Sequence, residues 1–265
     1  MNNASPSLRY FTGDEFKTSI TDNGEYPEFC DLAVKDDLLF SNFRRNPIYN
    51  YALEHDSAEQ GVEYLAVAQK LKNLPNHIEE FKKNDQVGNP VVSTYEGIGE
   101  ISPTTTRYIK ILSDLQQEFG TLDNLNICEI GVGYGGLCRI IDSYFQVKSY
   151  CLVDLESVLE LARKYLEHFQ INTSLTSKPI ELLAADDKYD LVISNYAFTE
   201  LRTEIQNVYL EKIILKSRKG YITYNNVNRL HFSSYTKDEL VKMIPNVRVL
   251  KEIELTNSQD CILAW

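Results

Sequence analysis

A glycine-rich stretch near the middle of the chain holds the residues best suited to chemistry. It reads NICEIGVGYGGL over residues 126–137, an apolar run followed by Gly131, Gly133 and Gly136 at the spacing GxGxxG. Glycine permits backbone angles that a Cβ forbids, and it lets a ligand approach the main chain closely. A helix that begins after such a turn presents unpaired N–H groups and a positive dipole end. The stretch therefore predicts a strand, a tight turn and a helix that bind a nucleotide-like ligand.

Two acidic residues lie where a ligand would meet this turn. Glu129 precedes the first glycine by two residues, inside the expected end of a buried strand, and a buried carboxylate is costly unless it is paired. A cationic ligand group would pair with it, and S-adenosylmethionine carries both an ammonium and a sulfonium. Asp154 ends a second apolar run roughly 20 residues after the glycines, where an acid can bind ribose hydroxyls. The alternatives are a helix cap or a salt bridge for Glu129, and a dinucleotide such as NAD for the glycine pattern.

The second part of the chain alternates apolar runs with amphipathic segments. This rhythm is typical of a mainly parallel sheet with helices on both faces. The predicted strands are 126–130, 148–153, 180–184, 190–195 and 221–225, followed by an antiparallel hairpin at 247–256 and 261–265. We predict an α/β fold with a seven-stranded, mostly parallel, doubly wound sheet and an antiparallel C-terminal hairpin strand. Dehydrogenase halves do not end in such a hairpin, which disfavours NAD.

The first hundred residues lack this alternation. A capping box at Ser57 begins a helix,. Its predicted apolar face comprises Val62, Leu65, Ala66 and Ala68. A later helix should begin at Ser102, with a proline in its first turn. We predict an N-terminal arm and helical cap over 1–100, and a cofactor-binding domain over 101–265.

The composition narrows the classes of partner. The chain has 27 basic and 38 acidic residues and a net charge of −11, which argues against binding along DNA or RNA. A local basic pocket for one sugar diphosphate stays compatible with this charge. The pair Arg44–Arg45 is interpreted either as a contact to a substrate phosphate or as a solvated turn.

Cysteine usage and hydropathy bear on the compartment. The five cysteines show no CxxC spacing and no zinc pattern, and three of them lie in strand-like apolar runs as small core residues. The first residues lack the pattern of a signal peptide, and no apolar run approaches the roughly 20 residues of a membrane span. We expect a reduced, cytoplasmic setting, no membrane and no metal.

In the glycine-rich stretch at 126–137, the chain resembles the class I S-adenosylmethionine-dependent methyltransferases. A C-terminal hairpin such as the one predicted above is typical of that family. Within these methyltransferases the chain is similar to the sugar O-methyltransferase branch. The closer match consists of residues 84–90 (NDQVGNP), 102–108 (SPTTTRY), 153–155 (VDL) and 194–201 (SNYAFTEL). The resemblance covers roughly residues 40 to 265 and implies S-adenosylmethionine as the cofactor.

In open α/β sheets, ligands bind at the carboxyl ends of the strands. The resemblance implies that the residues at the ends of the first strands of the sheet bind the methionine end, the ribose and the adenine of the cofactor. These residues are Glu129, Gly131, Gly133, Tyr134, Gly135, Asp154, Leu155, Ala185, Asp186 and Asn195. Asp186 is preferred to Asp187 as adenine partner by position alone. The resemblance places Arg107 beside the cofactor or the acceptor, with a surface charge at a capped helix end as the alternative. It places Tyr196, Asn225 and Asn226 on the acceptor side, where Tyr196 could instead be a core residue.

A sugar hydroxyl ionises far above neutral pH, so a base beside it should accelerate methyl transfer. Glu200 is one candidate, with a surface acid at a helix N-terminus as its alternative. His231 is the other, since imidazole titrates in the useful range, and its alternative is an exposed loop histidine. The sequence does not choose between the two.

We therefore predict an O-methyltransferase that acts on a sugar or nucleotide-sugar hydroxyl. Two alternatives remain open. The chain could methylate another small molecule or a protein side chain, or it could be a non-catalytic scaffold that binds the cofactor. A homodimer stays open as well.

Overall fold

The N-terminal part of the chain is mainly helical. The computed structural model describes residues 19, 21–22, 24–184, 186–225, 233–253 and 260–265. Its first helices are α1 (Glu25–Lys35), α2 (Asp37–Ser41), α3 (Pro47–Leu53), α4 (Ala58–Ala68) and α5 (Leu74–Lys82). A short hairpin follows, made of β1 (Ser93–Tyr95) and β2 (Gly99–Ile101).

Helix α4 begins as predicted but buries a different face. Ser57 and Gln60 form the expected capping box, and the buried residues are Gly61, Tyr64, Leu65 and Ala68. Val62 and Ala66, which we expected to face the core, are exposed. The face through Gly61 packs because that residue lies against Tyr95: a Cβ on Gly61 would stand 1.9 Å from the Tyr95 hydroxyl.

Helix α6 (Pro103–Phe119) begins where the sequence predicts. The Ser102 hydroxyl accepts a hydrogen bond from the Thr105 N–H at 3.1 Å, and proline occupies the first turn,. Gly120 ends the helix with φ 77, a left-handed conformation that glycine adopts without steric cost.

A seven-stranded sheet lies at the centre of the described residues. It contains β3 (Asn126–Ile130), β4 (Ser149–Val153), β5 (Ser174–Lys178), β6 (Leu191–Asn195), β7 (Lys219–Tyr224), β8 (Arg248–Lys251) and β9 (Cys261–Ala264). The order is β5-β4-β3-β6-β7-β9-β8; β3 to β7 are parallel, and β9 is antiparallel to both its neighbours. The predicted fold class is confirmed, with the hairpin at the end of the sheet.

The prediction of a strand at 180–184 was wrong. The chain forms its edge strand earlier, at β5, and residues 180–182 make a 3₁₀ turn. As an edge strand, β5 pairs with β4 alone and keeps a polar sequence, SLTSK. Edge strands are partly solvated and tolerate polar residues, so the more apolar segment after β5 was misleading.

Helices cover both faces of the sheet, and the N-terminal helices share one of its two cores. Helices α7 (Gly136–Asp142) and α8 (Glu156–Leu166) pack on that face together with α1, α4 and α6. Helices α9 (Thr203–Lys212) and α10 (Lys237–Met243) pack on the other. The five cysteines are free and buried, and Cys128, Cys151 and Cys261 are core residues as predicted. None of the described helices has the length and apolarity that crossing a membrane requires.

Candidate active site

A cavity of about 1030 Å³ lies at the carboxyl ends of the parallel strands. Residues of the end of α3, the start of α4 and the first turns of α6 also line it. The cavity wall includes many of the predicted site residues: Arg107, Gly131, Gly133, Asp154, Leu155, Asn195, Tyr196, Glu200 and Asn225. The carboxyl ends of the strands thus bring together residues that are far apart in the sequence, from Gly131 to Asn225.

The glycine loop follows β3 in left-handed conformations. Gly131 has φ 78 and Gly133 has φ 53, angles that favour glycine. Space is restricted as well: a Cβ on Gly131 would stand 2.0 Å from Ala197 Cβ, and one on Gly133 would stand 2.8 Å from Leu53 Cδ1. The packing of the loop against its neighbours thus requires glycine even before a ligand is considered.

Asp154 joins the glycine loop to the end of β4. Its Oδ2 accepts the Gly133 N–H at 3.2 Å, and its Oδ1 accepts the Leu155 N–H at 2.8 Å. Burial raises the pKa of this carboxyl to about 6, while the backbone N–H groups act in the opposite direction,. Each carboxylate oxygen can accept more than one hydrogen bond, so Asp154 can still accept from a ligand hydroxyl in the cavity.

Glu129 lies outside the cavity wall. Its side chain projects to the same face of β3 as Ile127, because side chains alternate along a strand. The Tyr150 hydroxyl donates to its Oε2 at 2.7 Å. Burial raises the pKa of Glu129 to about 8, and the hydrogen bond from Tyr150 opposes this shift. The carboxyl is thus partnered within the protein, and its pairing with a ligand cation stays a prediction.

Three further predicted cofactor residues do not line the cavity. Tyr134 is fully buried, with the Arg44 guanidinium 4.6 Å from its ring centre. Gly135 packs against Leu166, and Asp186 is exposed outside the wall. Three other predicted site residues lie outside the described part of the chain: Ala185, Asn226 and His231.

Arg107 is buried beside an acidic partner that the sequence did not reveal. Its Nη1 lies 3.2 Å from Asp56 Oδ2, and its Nη2 donates to the Leu53 carbonyl at 3.3 Å. Its Nε is buried without a hydrogen-bond partner among the described residues. Asp56 Oδ1 in turn accepts from the Tyr64 hydroxyl at 3.1 Å. The pair and Tyr64 form one polar wall of the cavity.

Glu200 closes a 3₁₀ turn (Ala197–Glu200) directly after β6. Its Oε1 accepts from Asn225 Nδ2 at 2.7 Å. Burial raises the pKa of Glu200, whereas the Asn225 hydrogen bond and the Arg107 charge lower it. Tyr196 precedes the turn with φ 64, a left-handed conformation that costs a non-glycine residue about 1–2 kcal/mol. The turn thus holds Glu200 in the cavity wall as a carboxyl that takes up a proton more readily than an exposed one.

His55 is a histidine that sequence reasoning did not place at the site. It follows α3 and lines the cavity. Partial desolvation and the nearby Arg107 charge lower the pKa of its imidazole, and Asp56 opposes them. The capping box at Ser57 marked the adjacent helix start, but no local signal showed that this end of the helix faces the strands.

Arg44 fits neither interpretation offered for it. It is fully buried and is not among the residues that line the cavity. Its Nε and Nη2 bind Glu54 at 2.6 and 3.2 Å, its Nη1 binds the Asn84 carbonyl and Asp85 at 3.0 Å, and Nη2 also donates to Ser102 Oγ at 3.0 Å. Arg44 therefore has a structural role. Among the described residues, no group of three His, Cys, Asp or Glu side chains could hold a metal ion.

Comparison with known proteins gives one partial curated relative. No protein-family model matches the chain. A stretch of 125 residues is 30% identical to the malonyl-[acyl-carrier protein] O-methyltransferase of Priestia megaterium (strain DSM 319 / IMG 1521). The match covers 46% of this chain and 44% of that protein, so the chain spans less than half the length of the curated relative.

Several solved structures are similar to the chain. The magnesium protoporphyrin IX methyltransferase from Synechocystis PCC 6803 with bound S-adenosylmethionine has a TM-score of 0.46 and 12% identity, with 88% of this chain and 95% of that chain covered. The methyltransferase domain of bacterial CtHen1-C has a TM-score of 0.45 and 18% identity, with 60% and 95% covered.

Proposed function

We propose that the chain transfers a methyl group from S-adenosylmethionine to a hydroxyl of a small molecule, a sugar or nucleotide-sugar. The observation that carries the proposal is the placement of Asp154. It follows the second parallel strand, is hydrogen-bonded to the glycine loop of the first, and lines the cavity. Ligand pockets are typically about 300–1,000 Å³, so a cavity of about 1030 Å³ can hold a nucleoside cofactor and a small acceptor together.

The residues of the cavity suit this cofactor. Asp154 would accept hydrogen bonds from the ribose hydroxyls. Asn195 Nδ2 is buried without a partner among the described residues, and it offers a donor at the end of β6. When bound, the cofactor supplies a methyl group activated by a positively charged sulfur.

The chain's own contribution would be alignment, exclusion of water and removal of a proton. Glu200, held by Asn225, would accept the proton of the acceptor hydroxyl. The acceptor oxygen would form its bond to the methyl carbon as the bond from that carbon to sulfur breaks. The Asp56–Arg107 pair and Tyr64, which line the same cavity, would orient the acceptor.

Calorimetric titration with S-adenosylhomocysteine and, separately, with NAD tests the cofactor assignment. We expect binding of S-adenosylhomocysteine and none of NAD. Binding of NAD alone would contradict the proposal. If neither compound binds, the cofactor assignment itself would be contradicted, whereas a scaffold without catalysis would bind S-adenosylhomocysteine and show no methyl transfer.

The partial relative favours a second candidate, methylation of a carboxylate, since its name describes an O-methyltransferase of a malonyl group. A carboxylate is already ionised at neutral pH and needs no base. Carboxyl methylation would therefore survive the substitution Glu200→Gln, whereas hydroxyl methylation would not.

A further inference from the structure

We infer that Thr199 is a positioning residue for the proposed base, and that its hydroxyl keeps the Asn225 amide turned so that Nδ2 faces Glu200. The inference rests on the proposed function, because it concerns the carboxylate that would accept the proton of the acceptor. Thr199 itself is 2% exposed and is not among the residues that line the cavity. It therefore acts on the site through its two neighbours and not by touching the acceptor.

The Thr199 hydroxyl links the 3₁₀ turn after β6 to the residue after β7. Its Oγ1 donates to Asn225 Oδ1 at 3.0 Å and accepts the Asn225 backbone N–H at 3.4 Å. The same hydroxyl lies 2.7 Å from the Tyr196 carbonyl oxygen, which also accepts the Thr199 N–H at 3.0 Å. The Tyr196 carbonyl thus keeps a donor when the hydroxyl hydrogen points to Asn225.

This contact decides which end of the Asn225 amide meets Glu200. An amide side chain has a donor end and an acceptor end. Because Thr199 donates to Oδ1, the other end of the amide, Nδ2, donates to Glu200 Oε1 at 2.7 Å. The reverse orientation would bring Oδ1 against Glu200, and two oxygen acceptors at that distance repel unless the carboxyl carries a proton. Thr199 therefore selects the orientation that stabilises the carboxylate.

The proton affinity of Glu200 depends on this orientation. Burial raises the pKa of Glu200, and the Asn225 hydrogen bond and then the Arg107 charge oppose that shift. A hydrogen bond donated to the charged form lowers the pKa of a carboxyl, so loss of the Nδ2 contact should raise it further. Other ionisable side chains that line the cavity with Arg107 include His55, Asp56, Tyr64, Tyr196 and Asp260. Substitutions of Thr199 leave all of these groups in place.

The turn has supports that do not use the Thr199 hydroxyl. The Phe198 N–H donates to Ser194 Oγ at 3.0 Å, and Gln206 Nε2 donates to the Phe198 carbonyl at 3.0 Å. The Phe198 side chain is fully buried. Thr199→Val keeps the branched shape and removes only the hydroxyl, so the turn should persist in that variant. Thr199→Ser keeps the hydroxyl and serves as the conservative variant.

Direct titration of Glu200 tests this inference without an acceptor. The full chain is labelled with carbon-13 at the glutamate carboxyl carbons, and its NMR spectrum is followed between pH 4 and 9. The Glu200 signal is the one that Glu200→Gln removes. We expect Thr199→Val to raise the midpoint of this signal by about one pH unit, and Thr199→Ser to stay near the unmodified chain.

The rate of methyl transfer should follow the same shift. Labelled S-adenosylmethionine is used with the methyl glycosides of glucose, galactose and mannose as probe acceptors, in a His55→Gln background that removes the titration of that imidazole. A base must be ionised to accept a proton, so Thr199→Val should be about tenfold slower on the acidic side of the profile. The difference should vanish at alkaline pH, where both carboxyls are ionised. A general structural defect would instead lower the rate at every pH.

Thr106→Val is the matched control. The Thr106 hydroxyl donates to the Pro103 carbonyl at 2.7 Å, three residues earlier in the chain, as Thr199 lies from Tyr196. Thr106 is fully buried and is not among the residues that line the cavity. Its replacement should leave the Glu200 midpoint unchanged, whereas an equal rise in both variants would overturn the inference.

An unchanged Glu200 midpoint in a folded Thr199→Val chain would also overturn the inference. If that variant does not fold, Asn225→Asp takes its place. It sets a second carboxyl against Glu200, and the pair would share a proton, so the midpoint should rise by more than about one pH unit. No rise would remove the contact on which the role of Thr199 depends.

The failure of the proposed function would look different. A chain that binds no S-adenosylhomocysteine would contradict that function, and the midpoint would still decide whether Thr199 orients Asn225. A raised midpoint with an unaltered pH profile of methyl transfer would overturn the role of Thr199 in catalysis, because Glu200 would then not be the base. Where none of the three glycosides reacts, the midpoint alone decides.

Discussion

Asp154 is the ionisable residue on which cofactor affinity should depend most. In the free protein, burial raises the pKa of its carboxyl to about 6. Ribose hydroxyls donate to the ionised form, so below this pKa binding must first expel a proton. We expect the affinity for S-adenosylhomocysteine to be constant above pH 7 and to fall by roughly tenfold per pH unit well below pH 6. Calorimetric titration between pH 5 and 8 measures this.

Asp154→Asn serves as the control for that titration. The amide cannot ionise, so the variant should bind more weakly at pH 7 and lose the fall in affinity on acidification. If the variant kept the same pH dependence, another group would be responsible, and Asp154 would not be the ribose partner.

Glu200 is the residue that we expect to act as the general base. Replacing it with glutamine keeps the shape and the contact to Asn225 but removes the base. We expect Glu200→Gln to lower methyl transfer to a hydroxyl by about 10²–10⁴-fold, with the affinity for S-adenosylhomocysteine within twofold of the unmodified chain. Radiolabel transfer and calorimetry measure the two quantities.

Glu204→Gln makes the same chemical change nearby and should leave the rate unaltered, since Glu204 is exposed in the first turn of α9. A Glu200→Gln protein with full activity would remove Glu200 from the mechanism and leave His55 and His231 as bases to examine.

At the scale of elements, Arg44 connects several segments beneath the glycine loop. It binds Glu54 after α3, Asp85 in the turn after α5 and Ser102 at the start of α6, and it lies over the ring of Tyr134 in the loop itself. We expect Arg44→Met to destabilise the protein by about 3–5 kcal/mol, because it leaves the buried Glu54 carboxylate without its cationic partner,. Urea denaturation followed by circular dichroism measures the change.

Arg45→Met is the neighbouring control. Arg45 donates to the Asn89 and Pro90 carbonyls at the surface, and its loss should cost about 1 kcal/mol or less. Equal effects of the two substitutions would contradict the structural role of Arg44.

The elements that the sequence predicted well are those with strong local signals. The central strands β3, β4 and β6 are apolar runs buried on both faces, and α6 has a serine cap, a proline and a terminal glycine. Strand β5 was misplaced because an edge strand needs no apolar run. The buried face of α4 was misassigned because it depends on Tyr95, a long-range contact.

The site residues likewise divide into those that a local sequence signal predicted and those that only long-range packing brings to the cavity. Asp154, Asn195 and Glu200 lie at or just after the carboxyl ends of strands, so the sequence predicted them as site residues,. Asp56 and His55 follow a helix of the N-terminal part, and they reach the cavity only because α4 packs on α6. Arg107 and Asp56 are about fifty residues apart, and no local pattern links them. Glu129 and Tyr134 were predicted from the motif, which specifies neither the side of β3 to which Glu129 projects nor the direction of the Tyr134 side chain in the loop.

At the scale of the whole molecule, many contacts cross the predicted boundary between the N-terminal cap and the cofactor-binding domain. Asn84 Nδ2 donates to the Gly136 carbonyl at 3.1 Å, Arg139 Nη1 donates to the Glu80 carbonyl at 2.6 Å, and Leu53 packs on Gly133. One hydrophobic core contains residues of α1, α4 and α6 together with β3 and β4. The N-terminal helices thus complete the core and the cavity of the sheet.

We therefore expect residues 101–265 not to fold by themselves. Without the N-terminal helices, apolar side chains of α6 and α8 would lose their cover, and Arg139 and Tyr134 would lose polar and cationic partners. The 265-residue chain should unfold in one cooperative urea transition, coincident by fluorescence and circular dichroism. The 101–265 fragment should show no such transition and should bind a hydrophobic dye. A fragment that unfolded cooperatively and bound S-adenosylhomocysteine would establish the boundary near residue 100 as a true domain boundary, and the N-terminal helices would then serve acceptor recognition alone.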